Sequence, residues 1–237
     1  MLQTICYIWV VSLLVAPGVS AQNARQDFAR INAAYGNHLT LSQDVRYTLY
    51  TDHATQNIQE VKTGHVIRDG DRVYFRLEEV ETLNNERYHL MIDHAEKVII
   101  LNRAEHMTYR PTPAETTDQL LARCRSVQYL EPNTRQKAYR LHFPAGEYER
   151  VEVFFHRQTS FIEQIVFFYR TPLKVDETAA TAKPPRLEMI YTNINTAPEI
   201  TENTFSEQPV VKMGSDGHVL QNKYKNYQFI NQAGAVQ

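Results

Sequence analysis

The side chains that could hold a metal ion are scattered along this sequence. It contains nine histidines, and His89 and His94 lie five residues apart in a stretch of strand character, which puts them on opposite faces of a strand. His94 with His106, or His142 with His156, would meet across neighbouring strands. Hydrogen-bonded or solvated histidines are the alternative. Because no spacing selects a ligand set, we predict neither a metal nor a cofactor.

Motifs for covalent or hydrolytic chemistry are absent from the sequence. It contains no G-x-S-x-G, no H-E-x-x-H, no glycine-rich phosphate loop and no C-x-x-C. Glu78, Glu79 and Glu81 form a cluster after a predicted strand, which is typical of a solvated strand edge. An acid/base pair for glycoside hydrolysis stays open, but nothing selects one. We therefore predict a protein that is not an enzyme, with an envelope hydrolase as a third alternative.

The two cysteines limit the redox chemistry. Cys6 lies in the first 21 residues, whose removal would leave Cys124 alone and no intramolecular disulfide. Leu120, Leu121 and Val127 share a helical face with Cys124, which predicts a buried thiol. The alternative, a reactive thiol, needs an electropositive and accessible niche.

The first 21 residues differ from the rest of the chain. They carry no charged side chain, and their apolar run at 5–16 is shorter than a transmembrane helix requires. Residues 19–21, Val-Ser-Ala, resemble a small-residue cleavage site. We predict a cleaved signal peptide at 1–21, a mature chain in the periplasm and no transmembrane segment in it. An uncleaved membrane anchor is the alternative.

Composition and charge favour one β-rich domain. The chain has 237 residues, a net charge of -2 and 43% hydrophobic residues. Near-neutral charge gives no electrostatic support for a nucleic-acid partner, and we predict none. Tyrosine and phenylalanine are plentiful, which suits half-buried sheet surfaces. A single domain is predicted at 22–237, since β barrels of this length are often one domain.

Hydrophobic periodicity predicts the order of the elements. Helical spacing of Phe28, Ile31 and Tyr35 predicts a helix at 22–35, and a second helix is expected from Thr116 or Thr117 to about Val127. A terminal strand is expected within the last twenty residues. Two-residue alternation predicts strands at 45–50, 58–68, 73–77, 87–92, 97–101, 137–143, 151–155, 161–169 and 187–194.

Short connections between these strands favour an antiparallel meander. The predicted fold is mainly β with α: a strongly curved antiparallel sheet, or open half β-barrel, with the N-terminal helix and the second helix on its concave side. Helices fill such a face only in part, and the apolar surface that they leave is a ligand cavity. The aromatic residues fit either the core or the wall of that cavity. They are Phe143, Phe154, Phe155, Phe161, Phe167, Phe168 and Tyr169.

The C-terminal part carries a phrase found in a known superfamily. After the last predicted strand come Asn195, Ile200 and Phe205, and Pro209 closes the phrase. With the signal peptide, the N-terminal helix and the meander, this order of elements resembles the periplasmic lipoprotein-carrier superfamily, which includes LolA, LolB and the RseB-type stress sensors. The segment RQTSFIEQIVFFY looks like a recurring hairpin of that group. The resemblance also implies that Ile200 and Phe205 lie in the core. A polar excursion at 171–186 and a tyrosine-rich tail depart from a typical carrier.

The resemblance implies an apolar cavity that shields an acylated ligand, such as the lipid of a lipoprotein. It also implies an arginine on an early strand that contacts a lid; Arg46 is the candidate and Arg76 the alternative. Alternation alone does not decide which sheet face lines the cavity. The set chosen as its wall is Val45, Tyr47, Leu49, Val73, Phe75, Leu77, Leu90 and Ile92.

The predicted function is therefore transport or sensing of a hydrophobic ligand by a non-enzymatic periplasmic protein. The alternative is an envelope interaction subunit that has a filled core and recruits a protein partner through a sheet edge. A lined hollow between the helices and the sheet favours the first hypothesis. A packed core with an apolar outer patch favours the second.

Overall fold

The computed structural model describes residues 18–104, 116–172, 183–214 and 217–233. Most of the predicted signal peptide, the residue His106 and positions 173–182 of the polar excursion lie outside these ranges, so cleavage of the leader stays a prediction. Among the described residues, no helix combines the length and the apolar character that crossing a membrane demands.

The described residues form two α-helices, fourteen strands and a short 3-10 helix at Asn222–Tyr224. The helices are α1 (Gly18–Gly36) and α2 (Thr117–Arg123). The strands are β1 (Thr40–Tyr50), β2 (Ile58–Asp69), β3 (Arg72–Leu77), β4 (Val80–Asn84), β5 (Tyr88–Asp93), β6 (Val98–Arg103), β7 (Ser126–Leu130), β8 (Gln136–His142), β9 (Tyr148–His156), β10 (Ile162–Tyr169), β11 (Arg186–Asn195), β12 (Val211–Gly214), β13 (Gly217–Leu220) and β14 (Gln228–Asn231).

Twelve of the strands form one sheet in the order β14-β6-β5-β4-β3-β2-β1-β11-β10-β9-β8-β7. It consists of two antiparallel meanders, β1–β6 and β7–β11, joined where β1 pairs with β11. The expectation of a mainly β fold with two helices is thus confirmed. The exception to antiparallel pairing is β14, which returns to lie parallel to β6. Strands β12 and β13 form a separate hairpin.

The second helix is shorter than its sequence predicts. Thr116 and Gln119 form a capping box at its start, as the N-cap expectation requires. The helix ends at Arg123 because Cys124 takes an extended conformation, with φ -75° and ψ 131°. The predicted extension to Val127 is therefore wrong: Val127 pairs with Leu141 in the sheet. Alternation of valine and tyrosine in this stretch suits a strand better than a helix.

Strand β4 was hidden in the sequence by its glutamates. Glu78 adopts a left-handed φ of 50° and turns the chain from β3 into β4. Glu81 then pairs with Arg76 across the two strands. What looked like a solvated edge after a strand is a tight hairpin inside the sheet, and its charges lie on one face.

One side of the sheet, the front face, carries the Val45 side chain and is covered by α1. Phe28 and Ile31 of α1 are buried against it. This first core is a helix-on-sheet layer. Its buried sheet residues are Leu41, Val45, Tyr139, Leu141, Val151, Val153, Phe155, Ile162, Ile165 and Tyr191.

A second core lies on the opposite, back face. Phe75 faces Thr82 and Thr82 faces Met91 across β3, β4 and β5 on the front. Leu90 and Ile92 flank Met91 and therefore point to the back. There they are covered by residues 205–214 and 217–233, together called the C-terminal segment. The buried members of this core are Leu83, Tyr88, Leu90, Ile92, Ile99, Leu101, Val210, Val211, Tyr224 and Ala233.

A buried carboxylate fixes α1 on the front face. Asp27 is only 5% exposed, and its oxygens accept hydrogen bonds from Lys137 Nζ at 2.9 and 3.0 Å and from the Tyr139 hydroxyl at 2.8 Å. Burial, and next the hydrogen bond to Asp27, raise the pKa of Tyr139, so its hydroxyl stays a donor. A second cation, Arg68, is buried under the end of α1 and donates to the carbonyls of Tyr35 and His38.

The C-terminal segment is held on the back face by a second buried carboxylate. Glu207 accepts hydrogen bonds from Asn85 Nδ2 at 2.8 Å and from Arg87 Nη2 at 2.5 Å. Phe205 beside it is buried, as the sequence phrase led us to expect, and Arg72 lies 4.9 Å above its ring. Ile200, expected in the core as well, is only half-buried.

We predict that Asp27→Asn lowers the free energy of unfolding by about 1–3 kcal/mol, because Lys137 loses its counter-ion and Tyr139 its charged acceptor. Chemical denaturation measures the loss. The matched control is Asp118→Asn, which breaks the ion pair between two largely exposed side chains, Arg25 and Asp118; exposed pairs contribute little. Equal effects of the two substitutions would contradict the anchoring role of Asp27.

We also predict a late-titrating phenol at Tyr74, on the back face beneath the C-terminal segment. Burial, and next the charge of Glu81, raise its pKa from 10.0 to about 12. The unfolded chain loses this proton at lower pH than the folded one. The stability contributed by Tyr74 is therefore complete below about pH 10 and is lost as the pH rises to about 12. The difference in phenolate absorbance between the wild type and Tyr74→Phe should rise in a step near pH 12. A step near pH 10 would refute the burial of the Tyr74 hydroxyl.

Candidate functional site

An apolar cavity of about 250 Å³ lies on the front face, between the two helices and strands β8–β10. Phe28 of α1 and Leu120 of α2 line it from the helix side. The other lining residues come from the sheet, from the turn between β8 and β9 and from the end of α2. They are Leu141, Phe143, Ala145, Gly146, Glu147, Tyr148, Val151, Val153, Ile165, Phe167 and Arg123.

Strand register explains why the sheet side of the cavity is apolar. Leu141 faces Val151, and Val151 faces Phe167, across three neighbouring strands. Val153 and Ile165 face each other in the next row. Residues directly opposite in antiparallel strands share a face, so these two rows form one continuous surface. The helices cover only part of it.

The rim of the cavity is a turn held by one arginine. Arg170 donates to the carbonyl oxygens of Phe143 at 2.6 Å and of Gly146 and Tyr148 at 3.2 Å each. Gly146 has a φ of +102°, a conformation that side chains rarely adopt, so the turn needs glycine here. The exposed Arg123 lies beside this turn. Charged side chains and backbone carbonyls that a ligand head could meet are thus concentrated at one end of the cavity.

Tyr148 adds a hydroxyl group to this rim, and Tyr169 packs against it. Tyr148 packs against Phe167 and Tyr169, with ring centroids 4.9 and 5.2 Å away. Burial raises the pKa of Tyr148, with further contributions from Tyr169 and Glu147, and burial likewise raises that of Tyr169. Both phenols therefore stay neutral and keep their protons at physiological pH. An apolar hollow with neutral hydroxyls and charged groups at one end suits a molecule with an apolar body and a polar head.

The structure divides the predicted wall between the two faces. Six of its residues lie on the front face: Val45, Tyr47, Leu49, Val73, Phe75 and Leu77. Val45 is buried in the first core and Tyr47 and Phe75 pack against it. Leu90 and Ile92 lie on the back face under the C-terminal segment. The eight residues therefore do not share one wall, because the strands that carry them alternate out of phase.

The cavity and the front part of the predicted wall nevertheless belong to one surface. Leu49 faces Leu187 across β1 and β11, and Leu187 faces Phe167 of the cavity across β11 and β10. Leu49, Leu187 and Phe167 are all half-buried. An apolar row thus leads from the predicted wall into the cavity. The sequence named Phe143 and Phe167 only as aromatic residues of undecided role; the alternation along β8–β10 was the signal that pointed to them.

Arg46, the predicted lid contact, is exposed on the back face. It lines a polar cleft of about 490 Å³ with Arg76, on the side of the sheet away from α1. In the same cleft Asp44 accepts a hydrogen bond from Asn193 at 2.7 Å and lies 2.5 Å from His65 Nδ1. These bonds, Asn193 first, lower the pKa of Asp44. A lid contact by Arg46 would therefore have to form on the face opposite the apolar cavity.

The other candidate groups do not converge. Within the described part of the chain, no three histidine, cysteine or acidic side chains are placed to bind a metal ion. His142 faces Arg150 and His156 faces Gln136, so this predicted pair does not meet. Cys124 is half-buried, with its Sγ 3.3 Å from the carbonyl oxygen of Leu120.

Comparison with known proteins finds distant structural similarity and nothing at the level of sequence. No family model matches the chain, and no curated protein matches it. An uncharacterized conserved protein from Thermus thermophilus is 10% identical with a TM-score of 0.47, covering 89% of this chain and all of that one. A LolA superfamily protein from Nitrosomonas europaea is 12% identical with a TM-score of 0.33, over 81% of this chain and 99% of that one.

The MucA/MucB complex from Pseudomonas aeruginosa also matches, at 9% identity and a TM-score of 0.45, over 84% of this chain and 63% of that one. Among these matches is thus one solved structure of the superfamily that the sequence resembles. At these identities and TM-scores the similarity decides nothing about the superfamily or the ligand of this chain.

We predict that Arg170→Met loosens the rim of the cavity, because three backbone carbonyls lose their shared donor. Hydrogen exchange of the Phe143 amide, which donates to the Glu149 carbonyl across this turn at 3.0 Å, should become faster by about tenfold. The control is Arg157→Met, which removes an arginine bonded to Glu131 and Gln136 elsewhere on the sheet. Unchanged exchange of the Phe143 amide in Arg170→Met would show that the turn holds itself.

Proposed function

We propose that this chain is a periplasmic, non-enzymatic protein that carries or senses an acylated or otherwise apolar ligand. The single observation that carries the proposal is the apolar cavity between α1, α2 and β8–β10, with its polar groups at one end. Each methylene buried there contributes about 0.8 kcal/mol. An acyl chain with its head at the rim is the simplest molecule that satisfies both parts of the cavity.

The shape of the sheet is part of this proposal. Open sheets of more than about ten strands tend to curl, and this one has twelve. Both helices pack on its front face. We take this face to be the concave side of a strongly curved open barrel, because a concave side gives helices and sheet the largest shared apolar surface. The six front residues of the predicted wall would then extend the cavity towards β1–β3.

The cellular location follows from the leader. A cleaved signal peptide at 1–21 would deliver the mature chain to the periplasm, where an acylated cargo needs shielding from water. The resemblance to lipoprotein carriers agrees with this location. Mass spectrometry of the mature N-terminus in cells decides it: a chain that starts at Gln22 supports the proposal, and one that starts at Met1 contradicts it.

An envelope hydrolase finds less support. Asp44 and His65 form a carboxylate–histidine pair, which could orient a general base. Among the described residues, however, no serine, threonine or cysteine side chain is hydrogen-bonded to His65, and a nucleophile in reach of the base is the mark of such sites.

We predict that Leu120→Trp, which fills the cavity from α2, weakens binding of a fluorescent fatty acid by about tenfold. Displacing about two buried methylenes accounts for this loss. Binding is measured by titrating the probe into purified protein. Leu39→Trp is the matched control, since Leu39 is 70% exposed and lies outside the cavity; its affinity should equal that of the wild type.

A second variant separates the cavity from the predicted wall. Leu49→Asn should weaken binding only if the ligand extends along the row from Phe167 to Leu49. If wild type binds no fatty acid and leaves its host cell without bound lipid, as judged by native mass spectrometry, the proposed function is wrong.

A further inference from the structure

Strand β2 continues past the end of its neighbour β3. Leu77, the last residue of β3, faces Gly64, and Glu78 then turns the chain towards β4. Residues 58–62, here called the open edge, pair with β1 on one side. In the part of the chain that the structure describes, no strand lies along their other side.

The backbone of the open edge offers hydrogen-bonding groups to that empty side. The Glu78 N–H donates to the Thr63 carbonyl at 3.1 Å, and the Thr63 N–H donates to Glu78 Oε1 at 2.5 Å. Thr63 thus directs its backbone groups away from β1. Backbone groups alternate in direction along a strand, so Val61 directs its N–H and C=O the same way. Gln59 is skipped by a β-bulge in the pairing with β1.

The side chains of the open edge are unusual for an unpaired strand. Ile58 is 56% exposed and Val61 is 48% exposed, although apolar edges promote association and are normally avoided. Glu60 and Lys62 lie on the front face, both about half exposed, with Glu60 Oε1 and Lys62 Nζ 2.8 Å apart. The edge therefore carries an acidic, an apolar and a basic side chain in consecutive positions.

We infer that the open edge binds an extended segment of a partner protein as an added antiparallel strand, in line with β3. Opposite charges facing each other across strands stabilise a pairing, and like charges destabilise it. The added strand therefore has an acidic residue opposite Lys62, an apolar residue opposite Val61 and a basic residue opposite Glu60. Read from its N-terminus, it is acidic, apolar, basic. Main-chain bonds to Val61 supply affinity, and the two charges set the register.

A second copy of this chain does not fit as that strand. Its own Glu60, Val61 and Lys62 have the required order, but pairing the two Val61 residues would bring the copy's Gln59 opposite Thr63. Glu78 already occupies that position: its N–H donates to the Thr63 carbonyl, and its carboxylate accepts a hydrogen bond from the Thr63 N–H. Shifting the copy by two residues, the smallest shift that keeps the outward-pointing backbone groups paired, places the two Glu60 side chains opposite each other, which repel.

The test uses the full chain and two acetylated, amidated hexapeptides that differ only in the order of their first three residues, Glu-Val-Lys or Lys-Val-Glu, so that no peptide residue has to lie opposite Thr63. We expect the first peptide to bind about tenfold more tightly than the second and to protect the Val61 amide from hydrogen exchange. The double variant E60K/K62E should prefer the second peptide by a similar factor. Equal affinity of the two peptides for wild type, or no binding of either, would overturn the inference.

A backbone variant tests the hydrogen bonds themselves. Val61→Pro removes an N–H that no described group accepts, so the fold should be retained while peptide binding is lost. Val61→Thr keeps the N–H and should keep most of the binding. If Val61→Pro unfolds the protein, the reversed peptide preference of E60K/K62E is the remaining test.

Analytical ultracentrifugation tests whether a second copy is the occupant. If the wild type dimerises and E60K abolishes the dimer, a second copy occupies the open edge and a strand from another protein is refuted. The test does not involve the cavity, so its outcome is independent of fatty-acid binding.

Discussion

The buried carboxylate of Asp27 is the interaction on which the arrangement of the front face depends. It joins α1 to Lys137 and Tyr139 of β8, near one edge of the twelve-stranded sheet. Near the C-terminal end of α1, Arg68 of β2 donates to the carbonyl of Tyr35, in the last turn of the helix, and to that of His38, just after it. α1 is thus attached at its middle and at its C-terminal end, and it spans both meanders. It therefore holds β1 and β2 in a fixed relation to β8–β10, and the first core fills the space between.

The two helices are too short to cover the whole front face of the sheet. α1 and the short α2 leave part of the apolar rows of β8–β10 without a helix, and the cavity is that uncovered part. Elsewhere the chain uses its own C-terminal segment as a cover, and Glu207 attaches it to the back of β4–β6. Two cores on opposite faces let a long sheet bury apolar surface on both sides with few helices. Among the described strands, β2 extends beyond β3 and has no partner strand along that side of residues 58–62.

The cavity and the open edge lie on different strands of the sheet and differ in the groups that they offer to a ligand. The cavity lies on the front face among β8–β10, where apolar area dominates and a polar rim limits what can enter. The open edge lies on β2, where main-chain groups and two charges dominate. An apolar ligand and a protein strand could thus be bound by one sheet at different strands, without competing for the same side chains.

The sequence by itself determined most of the elements, because periodicity reports burial directly: Phe28, Ile31 and Tyr35 predict α1, and the alternation around Val45 and Val73 predicts β1 and β3. It also predicted the buried Phe205. It did not determine the strand β4, since three glutamates masked its alternation, or β7, since Val127 continues the helical spacing of Leu120, Leu121 and Cys124. Only the tertiary structure decided which face each strand presents to which core. Leu90 and Phe75 look alike in sequence, yet they point to opposite sides, because the turns between β3, β4 and β5 set the pairing register, and a shift of one residue exchanges the faces.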